Sequence, residues 1–163
     1  MQRTRFIQGL VVIGLISTLG CPEDAESLLG APANLFSTSL VLLDGSGGVA
    51  STFGRGEPIT LRLELTNRMS STAVLTFPTG QLFDFVVLDS ADTEVWRWSH
   101  GRVFTTVVTP LEFAPNETRT FTVVWSQDDN TAKPVDPGSY HAYGLAPVSE
   151  VGLTSDRVPF KIE

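Results

Sequence analysis

The chain has 163 residues, 42% of them hydrophobic and 18% charged; that is enough for one domain with a sizeable core and too apolar for global disorder. Its formal net charge of −7 argues against a nucleic-acid role, since phosphate binding needs a basic surface. Serine and threonine supply 32 residues against two lysines, a balance that suits hydroxyl-bearing strands better than Lys/Glu-coated helices.

Residues 1–20 read as an address. Arg3 and Arg5 precede an apolar run over 6–16, and Ser17-Thr18-Leu19-Gly20-Cys21 follows. This is the layout of a secretory signal, with an apolar stretch too short to span a hydrocarbon core of ~30 Å as a helix. Cys21 is the only cysteine and stands where cleavage is expected. The sequence there resembles the bacterial lipobox, although Thr18 occupies the position where leucine is usual. The expectation is a lipoprotein-type signal peptide over 1–20, lipidation at Cys21, and a protein anchored by that lipid on the extracytoplasmic face of the cell envelope. An ordinary secretory signal with Cys21 incidental is the alternative. Residues 21–34 are acidic with two prolines and read as a tether. Cleavage removes Arg3 and Arg5 and no acidic group, leaving nine basic against 18 acidic residues. With no second cysteine, the domain over 35–163 has to hold together by core burial alone.

From residue 35 onward no stretch carries a helical period, and short β runs alternate with turn clusters. Residues 35–44 form the first expected strand, and Gly45-Ser46-Gly47-Gly48 turns the chain. Residues 59–66 place Ile59, Leu61, Leu63 and Leu65 on one face and Thr60, Arg62, Glu64 and Thr66 on the other. Pro58 fits only the start of that strand. A turn over 67–71 leads to a strand over 72–77, then Pro78-Thr79-Gly80 turns again. Residues 83–89 are apolar on both faces for part of their length, as in the middle of a packed sheet. Ser90-Ala91-Asp92-Thr93 is a hairpin turn, and strands are expected over 94–98, 103–108, 111–113, 118–125, 139–146 and 157–162. Pro159 places the last of these at a sheet edge. The spacing predicts an all-β fold, a single Ig-like antiparallel β-sandwich, and no helix is long enough for parallel crossovers.

Pro137-Gly138-Ser139-Tyr140 opens a strand in the manner of an immunoglobulin tyrosine corner, with Ala142 where a disulfide cysteine would stand. Trp96 and Trp98 share one strand face, Trp125 ends another strand, and all three read as core rather than as a ligand platform. Arg97, between the tryptophans, has Asp84 and Glu94 as possible partners. Asp84 lies in an apolar strand, so it is either solvated or hydrogen-bonded in a corner. Ser99 and His100 with Asp84 compose the residue list of a triad, but neighbours in a strand point to opposite faces and no nucleophile elbow is present. No catalytic residue is assigned. Two histidines without a thiolate pair, and Asp128-Asp129-Asn130 without calcium-loop spacing, give no metal site and no cofactor. Residues 126–138 make the longest loop, and Asp129, Asn130, Lys133, Pro134 and Val135 are its candidate partner-binding residues.

Residues 59–146 resemble the BsuPI family of bacterial intracellular proteinase inhibitors. The matching pieces are Leu61-Arg62-Leu63-Glu64-Leu65-Thr66-Asn67, then Thr79-Gly80-Gln81 with Phe83-Asp84-Phe85, then Trp96-Arg97-Trp98-Ser99 with Gly101 and Phe104. Leu111 and Pro115 lead to Trp125, and Pro137-Gly138-Ser139-Tyr140 closes the set. The resemblance implies a compact Ig-like domain that binds a proteinase; a serine proteinase is the expected partner and a monomer the expected state. The export signal departs from the family's intracellular description. The alternative is a structural or accessory lipoprotein of the envelope. An inhibitor should present a protruding loop held by the core; an accessory protein should show an apolar patch or a long unpaired edge strand.

Overall fold

The computed structural model describes residues 35–149 and 152–163, so the signal segment, Cys21 and the tether lie outside the described residues. The strands are β1 (Phe36–Leu43), β2 (Thr52–Phe53), β3 (Ile59–Asn67), β4 (Ala73–Phe77), β5 (Asp84–Asp89), β6 (Glu94–Arg97), β7 (Thr109–Phe113), β8 (Thr118–Trp125), β9 (Gly138–Ala146), β10 (Leu153–Thr154) and β11 (Val158–Ile162). One sheet has the order β1-β3-β8; the other runs β2-β11-β9-β5-β6, with β10 beside the end of β9. The pairing is antiparallel except between β2 and β11, which run parallel over two residue pairs.

The two sheets close over a core set by the alternation in the sequence. Ile59, Leu61, Leu63 and Leu65 of β3 are buried, while Thr60, Arg62, Glu64 and Thr66 between them are half-exposed. Facing them are Phe85 and Val87 of β5, Ala142 of β9, Phe160 and Ile162 of β11, with Trp125 from β8. β5 lies between β9 and β6, and its residues from Asp84 to Leu88 are all buried, which is why it is apolar on both faces. Gly144 lets β9 approach the first sheet: a Cβ there would lie 2.9 Å from Leu63 Cδ1. Pro159 pairs opposite His141 at a point on β11 beyond the reach of β2, so its missing N–H leaves no ladder bond unmade.

The β3–β8 ribbon does not end at Asn67. Its ladder resumes as β4–β7, with Ala73 opposite Phe113, after a break of a few residues in each strand. Asn67, fully buried, pins this bend. Its Nδ2 donates to the carbonyls of Ser71 (2.9 Å) and Ala114 (3.0 Å), and its Oδ1 accepts the Met69 N–H (3.0 Å). The bent ribbon lays Leu75, Phe77 and Phe113 over Phe36, Leu65 and Ala146 as a second apolar cluster.

Three hairpins share one turn. Asp44, Asp89 and Asp129 each accept, through Oδ1, the N–H groups two and four residues onward. The residue three onward is left-handed each time: Gly47 (φ 83°), Asp92 (φ 61°) and Ala132 (φ 60°). The Ser46 hydroxyl and the turn's N–H groups hold the Asp44 carboxyl below its ordinary value; the Lys133 N–H and the Thr131 hydroxyl do the same for Asp129.

Residues 103–108 correct the sequence reading. They belong to no strand; pairing starts only at Thr109, opposite Phe77 of β4. Valine and threonine dictate an extended backbone, whereas a strand also needs a neighbour.

Candidate functional site

Tyr140 begins the second sheet's long strand as a tyrosine corner. Its hydroxyl donates to the Asp136 carbonyl at 2.5 Å, and its ring stacks on Phe160 with centroids 5.7 Å apart. Burial first, then the carboxylates of Asp136 and Asp89, push the phenol's pKa up. The fold therefore favours the neutral phenol, whose contribution is complete below about pH 10 and is lost as the pH rises beyond it. Tyr140→Phe is expected to destabilise the domain by about 0.5–1.5 kcal/mol, the net value of one hydrogen bond. Denaturant midpoints that coincide for the two proteins would show that the corner contributes nothing.

The functional surface is best sought where the sandwich opens between β6 and β8, an edge strand of each sheet. Trp125 is 1% exposed, lies 5.8 Å from Trp96 by ring centroids, and donates its indole N–H to the Asp128 carbonyl at 2.7 Å. Trp98 stacks on Phe83 at 4.4 Å, and Phe83 on Phe121 at 5.0 Å. The tryptophan pair thus packs inward onto the core, half-exposed, and forms the floor of two adjoining open clefts of about 250 and 300 Å³.

Loop 126–138 forms one wall. Asp129 spends its carboxylate on its own turn. Asn130 lies along β6: its N–H donates to the Val95 carbonyl (2.9 Å), and its Oδ1 accepts the Arg97 N–H (2.9 Å). An edge strand so covered is closed to further pairing. Val135 is buried in the core and donates its N–H to the Gln127 carbonyl. Of the five candidate loop residues, only Lys133 and Pro134 stand exposed. Gln127, which sequence reasoning passed over, is 2% exposed and ties this loop to the Gly54–Glu57 turn through three hydrogen bonds.

Asp84 settles at the corner where β6 leaves the sheet. Its buried carboxylate accepts from Arg97 Nη1 (3.0 Å), the Ser99 hydroxyl (2.6 Å) and N–H (3.0 Å), and the Phe85 N–H (2.9 Å). Arg97 also pairs with Glu94 at 2.7 Å; Glu94 first, then Asp84, raise its pKa above the ordinary value. Since Ser99 Oγ gives its proton to Asp84, no histidine stands between them in the order a catalytic triad requires. Among the described residues no group of three or more His, Cys, Asp or Glu is placed to hold a metal ion.

The other wall is made by Trp98, His100 and Arg102, at the start of the segment 98–108 that leaves this corner. The Arg102 guanidinium lies over the Trp98 ring at 4.6 Å and its Nε donates to the Trp98 carbonyl at 2.7 Å. Phe104 packs on the same indole at 5.8 Å. Gly80 donates its N–H to the Thr105 carbonyl (3.0 Å), and a Cβ on Gly80 would lie 2.5 Å from Thr105 Oγ1, so a larger residue there would force the Thr105 side chain to turn away. Val103, Val107 and Val108 account for three of the five large hydrophobic residues exposed among the described residues.

A family model, BsuPI, described as intracellular proteinase inhibitor, matches residues 49–151, well over half of the chain. The chain belongs to the BsuPI family. That match extends the 59–146 resemblance at both ends and takes in both walls of the cleft. BsuPI is an inhibitor family rather than an enzyme family. No curated protein matches the sequence. Among solved structures, the C-terminal domain of wzt aligns with a TM-score of 0.48 at 9% identity, over 79% of this BsuPI chain and 74% of that one. An alkylpurine DNA glycosylase, AlkC, from Pseudomonas fluorescens aligns at 0.44 and 13% identity, over 77% of this chain and 30% of that one. A β-glucosidase from Erythrobacter marinus aligns at 0.42 and 11% identity, over 78% of this chain and 16% of that one. The chain thus spans less than a third of the length of the two enzymes, and scores this low bear on no activity.

Proposed function

We propose that this chain is an exported, lipid-anchored, monomeric inhibitor of a serine proteinase, and that it meets the enzyme with the loop end of the sandwich, 98–108 beside 126–138. The BsuPI match over 49–151 carries the reading. The geometry supports it: the sandwich presents two pinned loops, one of them largely exposed. The test is titration of the purified protein against a panel of serine proteinases, subtilisin-like enzymes first, with a chromogenic peptide substrate. Stoichiometric or submicromolar inhibition of a panel member is expected; no inhibition at micromolar protein removes the reading.

The address has its own test. Cys21→Ser is expected to block processing or to move the protein out of the membrane fraction, because the thiol is the acylated group. Unchanged size and unchanged fractionation would refute the anchor while leaving inhibition untouched.

One observation favours the envelope-accessory alternative. β8 is an edge strand with Thr118, Thr120, Thr122 and Val124 exposed on its outer face, and a free edge of this length invites a strand from another protein. Failure of inhibition together with capture of an envelope component through β8 would promote that reading.

A further inference from the structure

We propose that 101–108 is the segment that enters the proteinase, as an extended substrate-like strand, and that Val103 fills the enzyme's primary specificity pocket, which is therefore apolar. This rests on the inhibitor reading and deepens it. In an extended chain, side chains two apart share a side. Arg102 and Phe104 both pack on Trp98 and lie either side of Val103, which is left 96% exposed. A residue presented between two fixed neighbours is what an active-site cleft receives from a pre-organised ligand, and fixing it beforehand lowers the ordering cost of binding.

The main chain is available for the same purpose. Among the described residues, the backbone between Val103 and Val108 is held only by Gly80 N–H to the Thr105 carbonyl and by Thr109 Oγ1 to the Val107 carbonyl (3.1 Å). The remaining N–H and C=O groups are free to pair with an enzyme by strand addition. Loop 126–138 lacks this property, because its backbone is already bonded to itself and to β6.

The experiment uses the full-length protein, in detergent, against subtilisin and against trypsin. Val103→Asp is expected to weaken inhibition of subtilisin about 30-fold or more, since charge replaces the central apolar contact. Val103→Lys is expected to transfer inhibition to trypsin, whose primary pocket is acidic. Val103 touches solvent almost entirely, so both variants should keep the wild-type melting curve. If the unaltered protein inhibits neither enzyme nor any panel member, the inhibitor reading fails and takes this assignment with it. If it inhibits and both variants retain its inhibition constant for subtilisin, the reading stands and the assignment to Val103 is overturned.

Discussion

Trp125→Ala is expected to destabilise the domain by about 3–5 kcal/mol, the usual range for removing a fully buried indole. The ring is 1% exposed, lies between Trp96 and Phe160, and closes the main core at the end from which both loops depart. Its N–H reaches the Asp128 carbonyl, so alanine also orphans an acceptor at the start of loop 126–138. Natural domains hold only about 5–15 kcal/mol in all. Urea unfolding followed by circular dichroism measures the loss directly. Trp125→Phe keeps most of the volume and gives up the hydrogen bond, so its loss should be distinctly smaller. An alanine variant within 1 kcal/mol of the parent would mean that Trp96 and Phe160 close the core unaided.

What the sequence disclosed and what it withheld divide along a physical line. Local periodicity reports which face of a strand is buried, and 59–66 and 83–89 read correctly on that ground. The double-sided apolarity of β5 even announced its central place in the sheet. Tyr140 was legible because a tyrosine corner is a short-range device, four residues from donor to acceptor. Pairing partners are not local. Residues 103–108 have the composition of a strand, yet among the described residues no strand pairs with them, and only topology decides that. β2 and β10, two residues each, carry too little pattern to be seen.

The candidate site shows the same division. Residues 126–138 stand out as a long loop, but length does not say whether a loop is free. Asn130 is spent on the β6 edge and Val135 on the core, while the segment with unpaired backbone hides inside a strand-like pattern. In the sequence Asn67 opens a turn cluster. Its side-chain bonds bring together the carbonyls of Ser71, Phe113 and Ala114 and the amide of Met69 from both sides of the bend, and no rule of spacing anticipates that convergence. Asp84 was different. A carboxylate inside an apolar strand is either solvated or hydrogen-bonded in a corner, and the structure takes the second alternative, with Arg97 reaching both Asp84 and Glu94.

That corner joins stability to the proposed activity. Asp84→Ala is expected to cost about 3 kcal/mol, near the lower end for breaking a buried ion pair, because Arg97 is 31% exposed and keeps Glu94. Asp84→Asn retains an oxygen for the Ser99 N–H but turns amide donors toward Arg97, so it should lose less than alanine and more than a surface change. The carboxylate also anchors Ser99 by both hydroxyl and N–H, and Ser99 is where the exposed segment leaves the sheet. With it gone, amide exchange at Ser99 and Arg102, whose N–H groups are bonded at this corner, should quicken under native conditions before global unfolding exposes β5. A less ordered segment must be fixed on binding, so inhibition should weaken in step with that exchange rather than with global stability alone. Phe36→Leu, in the second apolar cluster, supplies the control, since it lowers stability without touching Asp84 or either loop. Equal inhibition constants for Asp84→Ala and the parent, with Ser99 exchange unchanged, would place the rigidity of the segment in its Trp98 contacts instead.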